Sequence, residues 1–448
     1  MKRIYITDFG AVSGSEKLQT AAIQAAVDSL YPNGGEVRVP AGTFKTAGIR
    51  LRSNTTLYLE AGALLEGSRD PELYHILADD TLEPVDPKEL RPEPLNARPE
   101  GFIRYFGGRW HNGLIRAYDA KNIAIIGEPG SIIDGMNCYD AGGEEAYRGP
   151  HAISIIRCEH IVLRGFTVRN SANWPESIWH SRDILCEDVV NLAGHDGIHI
   201  TSCDDIIIRR CTFRTGDDCI AGFDNYNVLV EDCELNTACS AFRFGGTNVL
   251  IHHCHIHAPA EYTFRGALSL DEKISGVNNP NDGEHKRYNM LSIFTYYADF
   301  TTKIRRAPQN IVIRDCLIEN ADRFLYFNYS GNSRWQINRP LAGITFQNLT
   351  VKGLSMPLTA YGDPASPVKV NLTRVNISLR EGAEDLVFIE AANFREIRLN
   401  DVNFENSRSD KIARCWSEPG KGRFVFDNVT GIGLEVEYTD QPFVSRPI

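Results

Sequence analysis

A short alternating frame recurs along most of the chain. It opens on Asn or Asp, continues with alternating apolar residues, and ends on a polar pair followed by a small or apolar residue. Clear copies read DIIIRRCTF, NVLVEDCEL, NVLIHHCHI and NIVIRDCLI. A period of about 20 to 30 residues is the signature of a solenoid, and short, alternating, β-branched segments favour strands over helices. The repeat therefore predicts an all-β fold, a right-handed single-stranded parallel β-helix whose stacked coils share one core.

The cysteines follow the same repeat. Cys186, Cys211, Cys233 and Cys254 are separated by 25, 22 and 21 residues. The chain has eleven cysteines and no CxxC cluster. This pattern predicts a ladder of small, buried, reduced side chains rather than a metal or redox site.

The N-terminal segment, about residues 1–45, predicts a cap on the solenoid. An open solenoid end exposes unpaired strand edges, which a covering element protects. Residues 15–31 have helical apolar spacing, including Ala21, and either Ser15 or Thr20 is expected at the N-cap.

Two stretches interrupt the repeat, about residues 79–101 and 276–308, and predict long loops that line a functional site. The other residues continue the repeat. Because a solenoid core grows in one direction, we predict a single domain over residues 1–448.

The composition argues against two classes of partner. A net charge of −11 disfavours nucleic acid, whose binding needs clustered Lys and Arg. No apolar run approaches the length of about 18 residues expected of a membrane span. The start, MKRIYITDFGAVSG, lacks the apolar stretch of a secretory signal. Together with the cysteine pattern, this predicts a cytoplasmic protein, with its oligomeric state left open.

An acidic cluster lies within the repeat. Five aspartates occur between residues 195 and 222, and Asp217 and Asp218 are adjacent. Asp196 precedes this pair by one coil, and neighbouring coils are about 4.8 Å apart. The spacing predicts three neighbouring carboxylates, which cannot all ionise at low cost. Asp204 and Asp205 are instead expected to be solvated turn residues.

Three segments carry a further signal, and they read DFGAVSG, GGEVRVPAGTFKTAGIRLRSNTTLYLEAGALLEGS and SIIRCEHIVLRGFTVRNSANW. With these segments the chain resembles the polygalacturonase-type glycoside hydrolases of family 28, from about residue 5 to about residue 265. The family has an Asn-Thr-Asp-Gly motif and an Asp-Asp pair about one coil later. GHDG and GDDC match them with Asp196, Asp217 and Asp218. The resemblance implies that Asp217 protonates the leaving oxygen while Asp196 and Asp218 activate a water.

The implied activity is inverting, exo-acting cleavage of a pectin-type or related plant oligosaccharide, without a cofactor or an obligatory metal. An inverting acid and base are separated by about 6.5 to 9.5 Å, which diagonal placement across adjacent coils can reach. Two alternatives remain open. One is a polysaccharide lyase on the same scaffold, with Ca²⁺ held by the acids. The other is a non-catalytic carbohydrate-binding β-helix.

Two family positions differ in this chain. The family histidine falls on Cys239 or Ser240, and Ala267 stands where the family has the lysine that holds the substrate carboxylate. Arg265 matches the family arginine, and Arg243 could compensate, because a guanidinium binds a carboxylate in a bidentate way. We therefore expect weakened binding of a uronic acid at the cleaved bond.

Histidines and aromatic residues complete the candidate substrate-binding set. His195 and His199 flank Asp196 and could contact a sugar. Sugar rings stack on aromatic faces, and the aromatic candidates are Trp110, Trp174, Trp179, Tyr296, Tyr297 and Trp335. Trp110, Tyr296 and Tyr297 are favoured, because they lie in irregular stretches.

Overall fold

The computed structural model of the protein describes residues 2–74, 109–143, 147–278, 289–298, 304–306, 308–330, 339–416 and 421–439. The chain divides into two compact units. The first comprises Met1–Val85, Arg98–Asp217 and Glu261–His285, and the second comprises Asp86–Ala97, Asp218–Ala260 and Lys286–Ile448. The single domain over residues 1–448 stays a prediction.

The first unit contains two α-helices, α1 (Thr20–Ser29) and α2 (Leu270–Ser275), and eighteen strands among its described residues. The strands are β1 (Arg3–Tyr5), β2 (Gly35–Val39), β3 (Gly42–Thr46), β4 (Ile49–Leu51), β5 (Thr55–Leu59), β6 (Ala63–Gly67), β7 (Gly113–Tyr118), β8 (Lys121–Gly127), β9 (Ile132–Asp134), β10 (His151–Ile156), β11 (Glu159–Arg164), β12 (Thr167–Arg169), β13 (Glu176–Trp179), β14 (Arg182–Glu187), β15 (Val190–Ala193), β16 (Ile198–Thr201), β17 (Asp204–Arg209) and β18 (Thr212–Thr215).

The second unit has sixteen strands among its described residues. They are β19 (Ile220–Glu231), β20 (Glu234–Thr237), β21 (Ser240–His252), β22 (His255–His257), β23 (Met290–Tyr296), β24 (Gln309–Arg314), β25 (Leu317–Glu319), β26 (Ala321–Asn328), β27 (Gly343–Leu354), β28 (Leu358–Tyr361), β29 (Val368–Leu379), β30 (Ile389–Ala392), β31 (Phe394–Glu405), β32 (Lys411–Cys415), β33 (Arg423–Thr430) and β34 (Glu435–Tyr438).

Within each unit, strands one coil apart pair in parallel. In the first unit β11 pairs with β14 and β14 with β17, which brings Ile161, Ile184 and Ile206 into one row. All three side chains are buried. In the second unit β27, β29, β31 and β33 pair in the same way. This stacking confirms the predicted parallel β-helix, in which each coil buries its apolar residues against the next.

The residue that opens each frame makes a turn. Asn227, Asn248 and Asn310 all have φ between 53° and 57°, in the left-handed region that Asn tolerates. Their amides form a ladder, since Asn248 donates to Asn227 Oδ1 at 3.3 Å and Asn310 donates to Asn248 Oδ1 at 2.9 Å. The residues that open successive frames therefore form a side-chain ladder at a corner of the coils.

The predicted N-terminal cap is present, but its N-cap residue and one residue of its apolar face differ from the prediction. Gln24 on α1 bonds the backbone of Arg50 in β4 through both its amide atoms, at 2.8 and 3.0 Å. This side chain satisfies polar groups at a strand edge, as a cap must. The expected N-cap was wrong, because Gln19 occupies that position without a side-chain bond. Ala21 was assigned to the apolar face but is exposed.

The predicted loops are tested only in part. Residues 79–101 lie outside the described residues. Within 276–308, the segment Met290–Tyr296 is a buried strand of the repeat rather than a loop, which corrects the prediction there. No helix in the described part of the chain is long and apolar enough to cross a membrane.

Candidate active site

The three aspartates follow the ends of two paired strands. β15 and β18 are in register at Ala193 and Thr215, so the segments that leave them run side by side. One oxygen of each of Asp196, Asp217 and Asp218 lies within 4.8 Å of the other two. The predicted carboxylate cluster is present. Its oxygens are closer together than the 6.5 to 9.5 Å expected for an inverting acid and base.

Two glycines allow another segment to approach these turns. A Cβ at Gly194 would meet Arg265 Cγ at 2.1 Å, and a Cβ at Gly216 would meet the carbonyl oxygen of Thr263 at 2.1 Å. Any side chain at either position would displace the segment, because such contacts are far below van der Waals distance. The backbone N–H of Arg265 also donates to the carbonyl of Gly194 at 3.0 Å. The residues from Thr263 to Arg265 are thereby fixed beside the turn that carries Asp196.

His199 forms a hydrogen bond with Asp196. Its Nδ1 lies 3.1 Å from Asp196 Oδ2, and both side chains are buried. The imidazole stacks on the indole of Trp174, with ring centroids 3.6 Å apart and planes 6° from parallel. This packing restricts the imidazole to one orientation and so orients the carboxylate.

Trp110 belongs to the same aromatic cluster. Its ring meets Trp174 edge to face at 5.2 Å and His151 at 5.8 Å. The Arg148 guanidinium lies over both indoles, 5.6 Å from Trp110 and 5.8 Å from Trp174. Trp110 is only 3% exposed. In this structure it therefore braces the Trp174–His199 stack rather than presenting an open face to a sugar.

His195 lies in a positively charged, buried environment. Its Nε2 is 3.1 Å from the Tyr139 hydroxyl, and its Nδ1 has no hydrogen-bond partner among the described residues. Burial lowers the pKa of this imidazole well below its usual range, and three nearby cations act in the same direction, namely Arg148, Lys273 and Arg265. His195 is therefore neutral at pH 7 and can bond a sugar hydroxyl as donor or acceptor.

Lys273 was missed by the sequence analysis. It lies on α2, is fully buried, and places its ammonium 5.7 Å from the Tyr139 ring and 5.6 Å from the Tyr147 ring. A signal for this helix exists in the sequence, because Ser269 and Glu272 form a capping box that begins it. Arg265 is buried as well, and its guanidinium donates to the carbonyl of Val277.

Asp218 is held by a backbone donor and a nearby guanidinium. The backbone N–H of Ser240 donates to Asp218 Oδ1 at 2.8 Å, and Arg243 lies 4.0 Å from Oδ2. The Arg243 guanidinium stacks over Tyr297, 4.1 Å from the ring centroid. Ser240 is one of the two positions that align with the family histidine. At this position the Ser240 backbone N–H donates a hydrogen bond to Asp218.

Tyr296 does not fit the predicted sugar-binding role. Its side chain is fully buried, its ring packs edge to face on Phe327 at 5.2 Å, and its hydroxyl donates to the carbonyl of Pro340 at 2.9 Å. The alternation of β23 turns this side chain into the core. The prediction for Tyr296 is therefore corrected, whereas Trp335 lies outside the described residues.

The three carboxylates are also the group best placed to hold a metal ion among the described residues. Carboxylate oxygens suit a hard cation such as Ca²⁺, which takes six to eight oxygen ligands. The prediction that no metal is needed stays a prediction.

Residues 106–261 match the model of glycosyl hydrolases family 28. A probable polygalacturonase of Vitis vinifera is 30% identical over 239 residues, which are 50% of this chain and 45% of the relative. An exo-poly-alpha-D-galacturonosidase of Dickeya chrysanthemi is 28% identical over 259 residues, which are 49% of this chain and 41% of the relative. The matches thus span less than half the length of these curated relatives.

Among solved structures, the hyperthermoactive exopolygalacturonase of Thermotoga maritima superposes with a TM-score of 0.68 at 17% identity, covering 91% of this chain and 92% of that one. This likeness supports the right-handed parallel β-helix and, at such low identity, speaks for the fold alone. The likeness to family 28 rests instead on the sequence match over residues 106–261. The segment of this chain that contains Asp196, Asp217 and Asp218 therefore matches the glycosyl hydrolases of family 28.

Proposed function

We propose that the protein is an exo-acting, inverting glycoside hydrolase that releases sugars from the end of an acidic, pectin-type oligosaccharide. The observation that carries the proposal is the group of three carboxylates within 4.8 Å of one another, inside the region that matches the family. The name of the Dickeya relative, an exo-poly-alpha-D-galacturonosidase, supports the same substrate class and mode of attack.

The spacing of the oxygens suits a shared water. Two oxygens that each accept a hydrogen bond of about 2.8 Å from one water lie roughly 4.5 Å apart. Asp196 and Asp218 are each anchored by a separate donor, His199 and the Ser240 N–H. Anchored carboxylates are suited to accept protons from the attacking water, and Asp217 then donates a proton to the leaving oxygen.

The proposed substrate is acidic because three cations lie near His195, the residue next to Asp196. The sequence alone showed a lost lysine at Ala267 and so predicted weak binding of a uronic acid. Lys273 and Arg148 restore positive charge around His195, together with Arg265. Buried cations bind a sugar carboxylate strongly, because little water competes for them.

The test is product analysis on galacturonic acid oligomers, on the long polymer, and on neutral pectic oligosaccharides. We expect monomer release from short acidic oligomers, with the new reducing end first appearing in the inverted anomer by proton NMR. Addition of EDTA should leave the rate unchanged.

Other outcomes would select the alternatives. Retention of configuration would assign one aspartate as a nucleophile, for which the close carboxylate spacing is suitable. A product that absorbs in the ultraviolet would indicate a lyase, and loss of activity with EDTA would indicate a metal at the aspartates. Binding without turnover would indicate a carbohydrate-binding module.

We also propose a cytoplasmic location. All eleven cysteines are buried and none is joined in a disulfide, although the sulfur atoms of Cys186 and Cys211 approach to 3.8 Å. Buried cysteines that are not joined in disulfides are typical of a reducing compartment. Fractionation of the producing cells should find the protein with cytoplasmic markers, and recovery of the full-length chain outside the cell would contradict this proposal.

A further inference from the structure

A basic cavity lies in the second unit, formed by β29, β31 and β33. It has a volume of about 440 Å³ and is lined by Lys369, Arg395, Glu396, Arg398 and Arg423. Four basic side chains thus face one carboxylate, in a chain whose net charge is −11. Such a local excess of positive charge is costly without a counter-anion, because like charges repel.

The parallel register builds this cavity. Lys369, Glu396 and Arg423 occupy equivalent positions on three successive coils. Neighbouring coils are about 4.8 Å apart, so the three side chains form a row across the coils. Arg398 lies two residues beyond Glu396 on the same face of β31, since side chains alternate along a strand.

Glu396 fixes the cations but cannot neutralise them. It is buried and accepts from Lys369 at 3.3 Å, from Arg398 at 3.4 Å and from Arg423. The hydrogen bond from Arg423 holds the pKa of this carboxyl far below its usual range, so it is ionised at neutral pH. Each guanidinium has five N–H donors, and one carboxylate occupies only a few of them.

We propose that this cavity is a second binding site, for an oxyanion such as a sugar carboxylate or a free phosphate. Guanidinium groups bind both in a bidentate way. Lys369, Arg395 and Arg423 are exposed and Arg398 is half-buried, whereas Glu396 is buried, so an incoming anion meets the cations first. An oligosaccharide with one carboxylate on each sugar presents several anions, and the cavity offers cations on both sides of Glu396. The site itself rests on the cavity alone, and only the choice of sugar probe rests on the proposed function.

The test compares two variants in an Asp217→Asn background, where the sugar is not consumed. Arg395→Ala/Arg423→Ala removes two cations of the cavity. Arg408→Ala removes one cation elsewhere on the same unit and is a matched control, because its side chain is 68% exposed against 69% for Arg423. Labelled tri-galacturonate and inorganic phosphate are used as separate probes in equilibrium dialysis at low ionic strength.

We expect the Arg408→Ala protein to bind two tri-galacturonate molecules, and the cavity variant to lose one of them or to bind it at least tenfold more weakly. If the cavity variant loses phosphate binding and the Arg408→Ala protein keeps it, the cavity is a site for a small oxyanion such as free phosphate. The proposal is overturned if the two proteins bind each probe equally well. It is also overturned if neither tri-galacturonate nor phosphate binds at the cavity. The single variant Arg395→Ala gives the same comparison if the double variant does not fold. Because phosphate does not depend on hydrolysis, a failed galacturonide assay leaves this test intact.

Discussion

Asp217→Asn is expected to reduce kcat on an acidic oligosaccharide by roughly 10²- to 10⁴-fold, the contribution usual for a general acid or base. The amide has nearly the same shape as the carboxyl but cannot supply the proton to the leaving oxygen. The local turn should persist, because the Thr215 hydroxyl donates to the backbone carbonyl of residue 217 at 2.7 Å and not to its side chain. The measurement is initial rates at saturating substrate, with circular dichroism and thermal unfolding to check the fold.

The matched control is Asp205→Asn. Asp205 was predicted in a turn but is the exposed second residue of β17, with φ of 57°, a conformation that Asn also adopts readily. Its replacement should leave kcat within about twofold of the wild-type value. Wild-type activity of Asp217→Asn, or an equal loss in both variants, would contradict the assignment of Asp217 as the proton donor.

Arg243→Met is expected to lower kcat/KM for galacturonic acid oligomers by about 10- to 100-fold, the range of one or two charge-assisted hydrogen bonds. Arg243 lies 4.0 Å from Asp218 and is partly exposed, so its guanidinium can meet a substrate carboxylate while it also stabilises the ionised aspartate. Methionine keeps the packing on Tyr297 and removes the charge. The measurement is kcat/KM on an acidic oligomer and on a neutral one of equal length.

The control for this variant is Arg214→Met. Arg214 has a similarly exposed side chain, 35% against 27%, and pairs with Glu261 at 2.6 Å. Its removal should change both substrates by less than twofold. If Arg243→Met slows the acidic and neutral oligomers equally, Arg243 acts on Asp218 alone and does not recognise substrate charge.

Much of the fold could be predicted from the sequence, because each coil of a solenoid repeats the same local sequence pattern. The Asn that opens each frame specifies the turn, and the alternating apolar residues specify the buried face. The aspartate cluster was predictable for the same reason, since Asp196 and Asp217 are separated by one coil. The cavity at Glu396 also carries a periodic signal, because Lys369 and Arg423 each lie 27 residues from it.

Side-chain direction was harder to predict. Tyr296 and Tyr297 are neighbours in sequence, yet Tyr296 fills the core and Tyr297 stacks under Arg243. From the sequence both are predicted to be loop residues, because the repeat frame is not recognisable around them. Only the register of β23 on β21 decides which ring faces inward.

The sequence by itself determined the stacked coils, the capping helix and the three neighbouring carboxylates, all of which follow from local periodicity. The tertiary structure alone decided the surroundings of those carboxylates. Lys273 lowers the pKa of His195 from a helix outside the repeat, 78 residues further along the chain, and the Trp174–His199 stack depends on packing between coils. These contacts join residues whose separation along the chain does not follow the repeat. They form because side chains pack together in the folded protein and because one segment leaves the repeat, so no sequence pattern predicts them.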